Sequence, residues 1–255
     1  MILFIALVGL LIGSFLNVCI YRIPREESIV YPSSHCPGCN TSLKPRDLIP
    51  VLSYITYRGR CRYCSEKISA RYPIIELFNS ILFVLLYMQF GISLQFVAYA
   101  ALTSILLAMS IIDYDYLIIP DGMQILILLI GLGYKVINTY ISNTPFPYLD
   151  SLLGLLIGGG FFLLVAVVSN GGMGGGDIKL MGVLGFWLGL RTTLLMMLLS
   201  FIIGGVLSII LLVLKKKGRK ESIPFGPFIA IATVITICWE SEILTWYVQS
   251  FFNNL

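Results

Sequence analysis

Polar and apolar positions along this chain do not alternate with the two-residue period of a strand; they fall in long blocks. Nearly unbroken apolar runs cover roughly 1–21, 74–90, 94–112, 121–141, 148–169, 178–190, 192–214 and 225–250, and about 20 such residues let a helix cross the hydrocarbon layer of a bilayer. The run at 178–190 is short and is expected to start within the glycines before it. One sizeable polar block interrupts the pattern, from Arg22 to Pro73, punctuated by Pro24, Pro32, Pro37, Pro45 and Pro50. The predicted fold class is therefore all-α, a polytopic membrane bundle of about eight helices. Its predicted parts are a first helix over 1–21, a polar loop over 22–73 and a multi-helix body over 74–255. Gly9-xxx-Gly13, Gly154-xxx-Gly158 and Gly185-xxx-Gly189 predict close helix approaches. No internal repeat is evident.

Composition agrees with a membrane body, at 58% hydrophobic and 12% charged residues. Charge placement orients it. Of 17 Lys and Arg residues, nine lie between Arg22 and Arg71 and five between Lys215 and Lys220. An even number of expected spans separates the two clusters, so both face one side, which the positive-inside rule makes cytoplasmic. No basic residue precedes the first apolar run and Arg22 and Arg25 follow it, which predicts a retained helix with its N-terminus outside. The net charge of +4 then reflects topology, and with no aromatic-basic platform nucleic acid is not an expected partner. The lipid bilayer is.

The polar block carries Cys36-x-x-Cys39 and Cys61-x-x-Cys64, with 21 residues between the pairs. Each pair can place two thiolates on one ion, and two pairs complete a tetrahedral four-sulfur zinc site. A cytoplasmic address argues against disulfides. With all four positions filled by protein, the zinc is expected to be structural. Gly38 and Ser65 suit tight turns around bound sulfur. His35, beside Cys36, is a rival ligand or a plain loop residue, and Cys19 and Cys238 read as packing residues within apolar runs.

Carboxylates near lipid are costly, about 3 kcal/mol or more at mid-membrane, and so are candidates for function. Asp113 closes one apolar run; Asp177 follows Gly174-Gly175-Gly176 between two others. The charge placement puts both at cytoplasmic ends. A pair of such carboxyls suggests aspartyl chemistry, one protonated and one activating water. Each also has a plainer reading, Asp177 as a helix cap and Asp113 as a buried polar anchor. Lys179 is placed either to favour an anionic Asp177 or to face headgroups. Asp115 and Asp121 lie near enough to Asp113 that spacing leaves the choice among the three open. Asn17 and Glu76 are further polar residues in apolar context, readable as an interhelical hydrogen bond and a snorkelling acid.

Taken in order, these pieces resemble the bifunctional type IV prepilin peptidases and prepilin N-methyltransferases. The resemblance rests on Gly13 to Arg22, the two cysteine pairs, Arg71-Tyr72-Pro73-Ile74-Ile75-Glu76-Leu77, Ile112-Asp113 through Pro120-Asp121, and Gly174-Gly175-Gly176-Asp177-Ile178-Lys179. It implies that Asp177 sits in a GxGD aspartyl-protease motif and that Asp113 is the other catalytic aspartate. It implies prepilin or pseudopilin substrates with a basic leader, cut on the cytoplasmic side, and methylation of the new N-terminus from S-adenosylmethionine. It also implies methyl-transfer machinery around the first helix and a zinc-bearing loop, with Gly13, Asn17 and Glu76 as its cofactor-binding residues. Asp115, Asp121, Glu26 and Glu27 are the acids expected to meet the leader's basic residues. Two other readings stay beside it: a peptidase without methylation, and a transporter using the aspartates as an ion path, which would be expected to show a repeat.

Overall fold

A computed structural model describes residues 1–214 and 223–251; the basic cluster at 215–220 lies outside the described residues. The described chain is helical, with isolated bridges in place of strands. Its helices are α1 (Ile2–Arg22), α2 (Leu52–Thr56), α3 (Arg71–Phe90), α4 (Leu94–Tyr116), α5 (Asp121–Ser142), α6 (Tyr148–Val168), α7 (Gly175–Leu188), α8 (Leu190–Val213) and α9 (Gly226–Phe251). Seven are long and apolar enough to cross a membrane. The eighth expected span forms as α7, whose 14 residues reach only about 21 Å. The chain is thus a multi-pass membrane protein.

The helices fall into two compact units, Met1–Ala108 and Met109–Leu255, with the division inside α4. In the first, α1 and α3 are fastened by glycines and amides. A Cβ at Gly9 would meet Ser80 Cα at 2.7 Å, and one at Gly13 would meet Glu76 Cα at 2.7 Å, so only glycine lets the helices touch there. Asn79 Nδ2 donates to Gly9 O at 2.8 Å, and its Oδ1 accepts from Ser104 Oγ at 2.9 Å, which joins α1, α3 and α4. In a medium without water such bonds contribute about 0.6–1.7 kcal/mol each.

The second unit is built on α6 and α7. Gly154 and Gly185 meet backbone to backbone, and a Cβ at Gly158 would lie 2.7 Å from Met181 O. Gly131 of α5 makes room for Trp187 of α7 in the same way, at 2.7 Å. Because Gly159 lies level with Ile178 and Gly182, α7 begins about 6 Å short of the end of its antiparallel neighbour α6. The short helix therefore starts below the end of α6, and Asp177 is the buried residue of its first turn. Lys135 is buried as well, bonded to Ser151 Oγ and lying 5.5 Å from the Phe186 ring centre.

Candidate active site and metal centre

Asp113 and Asp177 both belong to the second unit and both are buried, at 6% and 8% exposure. Asp113 lies near the C-terminal end of α4; Asp177 is the third residue of α7. The two carboxyls are close enough to interact electrostatically. Each also meets a backbone N–H at a helix start. Asp113 Oδ2 accepts from Gly226 N, the first residue of α9, at 2.9 Å. Asp177 turns back onto the N–H of Gly174, the N-cap of its own helix, one half of a capping box. The cap reading of Asp177 and the site reading therefore describe one geometry. Asp177 Oδ1 remains buried without a hydrogen-bond partner among the described residues, an acceptor left for something else.

The glycines of this turn have separate tasks. A Cβ at Gly174 would sit 2.9 Å from Asp177 Oδ2, and one at Gly176 would sit 2.8 Å from Ile119 Cβ. The first leaves space for the carboxyl to fold back; the second lets α7 close onto the segment before α5. Lys179 does not reach Asp177 in a bond of its own. It grips both oxygens of Asp121, at 2.8 and 2.9 Å, tying the start of α7 to the start of α5. Gly226 is held by an aromatic wedge. Phe225 contacts Phe162 of α6 at 5.8 Å, Phe201 of α8 at 5.4 Å and Phe228 at 5.7 Å between ring centres. Gly204 leaves the space those rings occupy. Sequence reasoning did not single out Gly226; its one available signal was Pro224-Phe225-Gly226-Pro227 at the edge of an apolar run.

In the first unit, the four expected cysteine sulfurs converge within 4.8 Å of one another. Cys36 Sγ and Cys64 Sγ are 3.8 Å apart, and tetrahedral zinc with bonds of about 2.3 Å separates its sulfurs by about 3.8 Å. The residues fit a four-sulfur metal site. Two equivalent turns build it. Cys36 N bonds Thr41 O, Asn40 N bonds Cys36 O and Leu43 N bonds Ser34 O; Cys61 N, Ser65 N and Ile68 N repeat these to Glu66 O, Cys61 O and Gly59 O, each 25 positions on. Asn40 and Ser65 carry matching positive φ, 55° and 62°. A local structural repeat thus exists where none was evident in the sequence, because it resides in backbone bonds. His35 is exposed and bonds Ser33 O through Nδ1, and the cluster of metal-capable side chains contains the cysteines alone.

Gly13, Asn17 and Glu76 are also brought together. Gly13 packs on the Glu76 backbone; Asn17 Nδ2 donates to Tyr72 O at 3.2 Å and Gly13 O at 3.3 Å; Glu76 Oε2 accepts from Val51 N at 2.7 Å. Their contacts are helix to helix and helix to loop. Gly13 is filled by α3 and leaves no room there for a cofactor.

Residues 7–90 match the bacterial peptidase A24 N-terminal domain, and residues 100–209 match the type IV leader peptidase family. The chain belongs to the type IV leader peptidase family. Prepilin leader peptidase/N-methyltransferase of Aeromonas hydrophila is 33% identical, covering 96% of this chain and 93% of the relative. The proteins of that name from Bacillus subtilis (strain 168) and Pseudomonas aeruginosa are 31% and 34% identical, over 94% and 95% of this chain and 95% and 92% of theirs. No solved structure matches. Within this family assignment, the second matched segment holds both aspartates and the first holds all four cysteines.

Proposed function

We propose that this chain cleaves the basic leader from type IV prepilins or pseudopilins at the cytoplasmic membrane face and then methylates the new N-terminus. The observation that carries the cleavage reading is the buried pair Asp113 and Asp177, in electrostatic contact within one unit, each on a backbone N–H and one with an unpartnered oxygen. Family membership carries the rest.

Two carboxyls in mutual repulsion hold one proton between them and titrate as a coupled pair. The ionised member takes a proton from water as the water oxygen adds to the scissile carbonyl. The protonated member gives its proton to the carbonyl oxygen. In the second half the first member returns its proton to the leaving amine, the carbon–nitrogen bond breaks, and the second recovers its proton from the hydroxyl. The pair ends as it began. The Gly226 and Gly174 amides hold the carboxyls in place through both halves, and the short α7 keeps Asp177 at a depth where the substrate's apolar segment begins.

Cys36, Cys39, Cys61 and Cys64 would hold structural Zn²⁺, which supplies a rigid crosslink within the loop. Bound S-adenosylmethionine would supply the methyl group. Gly13, Asn17 and Glu76 are proposed to frame that reaction by fixing α1, α3 and the loop. The leader's basic residues are proposed to meet Asp115, Glu26, Glu27 and Asp121, the last after release from Lys179.

The test is incubation of the full chain in detergent with a purified prepilin and methyl-labelled S-adenosylmethionine, read by mass spectrometry of the product. Leader loss with label on the new N-terminus is expected. Leader loss without label would leave a peptidase alone; an intact prepilin would contradict the reading.

A further inference from the structure

The loop between α1 and α3 carries exposed apolar side chains at two places outside the spanning helices. Val30 and Tyr31 are 83% and 79% exposed, with Ile29 beside them at 41%. Leu48, Ile49, Leu52 and Ile55, around α2, are 39%, 47%, 62% and 64% exposed. Both places are fastened to a spanning helix by a buried charged side chain. Arg22, at the end of α1, donates to Ser28 O at 2.8 Å and Pro32 O at 2.7 Å, closing the turn that presents residues 29–31. Glu76 of α3 accepts from Val51 N at 2.7 Å, just before α2. Glu76 lies five residues into α3, about 7.5 Å along its axis, so Val51 is held near the depth of that helix's first two turns.

The backbone turns sharply at Val51. Its φ of 61° and ψ of −48° are rare for a β-branched residue, and Leu52 N bonds Pro50 O at 2.6 Å across it in a γ-turn. The turn sends the chain into α2 with Leu52 and Ile55 one turn apart on an uncovered face. Around that face the charge is one-sided: Lys44, Arg46, Arg58, Arg60 and Arg62 stand against Asp47 alone between residues 44 and 62. An apolar stripe flanked along the chain by cations, held at the depth where spanning helices meet water, has the chemistry of an interfacial lipid-binding element. A basic leader peptide, by contrast, would meet like charge here.

We infer that this loop is docked on the membrane, with Val30, Tyr31, Leu52 and Ile55 inserted among lipids and the Lys and Arg residues that flank α2 on anionic headgroups. The bilayer then acts as a third support for the metal-binding turns, besides α1 and α3. This inference needs only the spanning helices and stands apart from the cleavage reading.

The test places a genetically encoded fluorescent amino acid at Ile55, or at Val30, in the full-length protein in lipid nanodiscs. The discs contain phosphatidylcholine brominated on its acyl chains, with or without phosphatidylglycerol. Bromolipid is expected to quench both probes, the one at Ile55 more strongly with phosphatidylglycerol, while aqueous iodide does not. Arg46→Gln and Arg58→Gln are each expected to lower the docked-to-undocked ratio about fivefold in the anionic discs. Iodide quenching without bromolipid quenching would overturn the inference. Equal quenching in phosphatidylcholine alone would overturn its charge selectivity. Shielding from iodide that appears only on adding prepilin would assign the face to substrate instead.

Discussion

Gly226 contributes no side chain, yet its N–H is the bond that fixes one carboxyl of the candidate pair. A Cβ there would lie 2.7 Å from Asp113 Oδ2, so Gly226→Ala is expected to push the carboxyl aside while the fold persists. Misplacement by about 1 Å costs about 10²-fold in rate; a fall of that order in prepilin cleavage, with unchanged thermal unfolding, is the expected result. This residue shows where reading a sequence stops. The aspartates were legible because a carboxyl in an apolar run is costly, whereas a backbone N–H is carried by nearly every residue and marks nothing. Its partner lies 113 positions away. Glu76 was half legible for the same reason: the acid stood out, its bond to the Val51 backbone did not.

At the scale of elements, glycine decides how near the helices come. Gly158→Leu forces a side chain against the Met181 carbonyl and is expected to cost about 1–3 kcal/mol. Since α7 also carries Asp177, cleavage should fall together with the unfolding temperature, which differential scanning fluorimetry and a cleavage assay would check side by side. The small-residue spacing in α1, α6 and α7 foretold these contacts, and apolar block length foretold all eight helices to within a few residues. Block length also foretold that α7 is short and begins among its glycines; it could not foretell where that start lies against α6. The cysteine turns behave likewise. Their spacing announced that the four sulfurs converge, but the 25-position repeat of backbone bonds has no residue pattern beyond the cysteines themselves. Cys61→Ser, or a strong chelator, is expected to remove the metal and loosen residues 34–68, seen as loss of zinc by elemental analysis and faster amide exchange there.

Across the whole molecule, charge sorts the two chemistries. The loop from Arg22 to Arg71 is basic, so under the proposed function a basic leader is met by the acids, of which Asp121 already holds Lys179. Replacing the leader's basic residues with neutral ones is expected to raise KM for cleavage, an effect that shrinks in high salt because exposed charges are screened. Lys179→Ala is expected to act in the opposite direction, freeing Asp121. Family membership and membrane architecture are secure without these residues; the two-carboxyl mechanism depends on them alone. The most direct measurement is therefore cleavage of a cognate prepilin by Asp113→Asn and Asp177→Asn, each checked for folding and zinc content. Both variants should lose activity by about 10²–10⁴-fold or more, with metal and unfolding temperature unchanged. Full cleavage by either one would contradict the account.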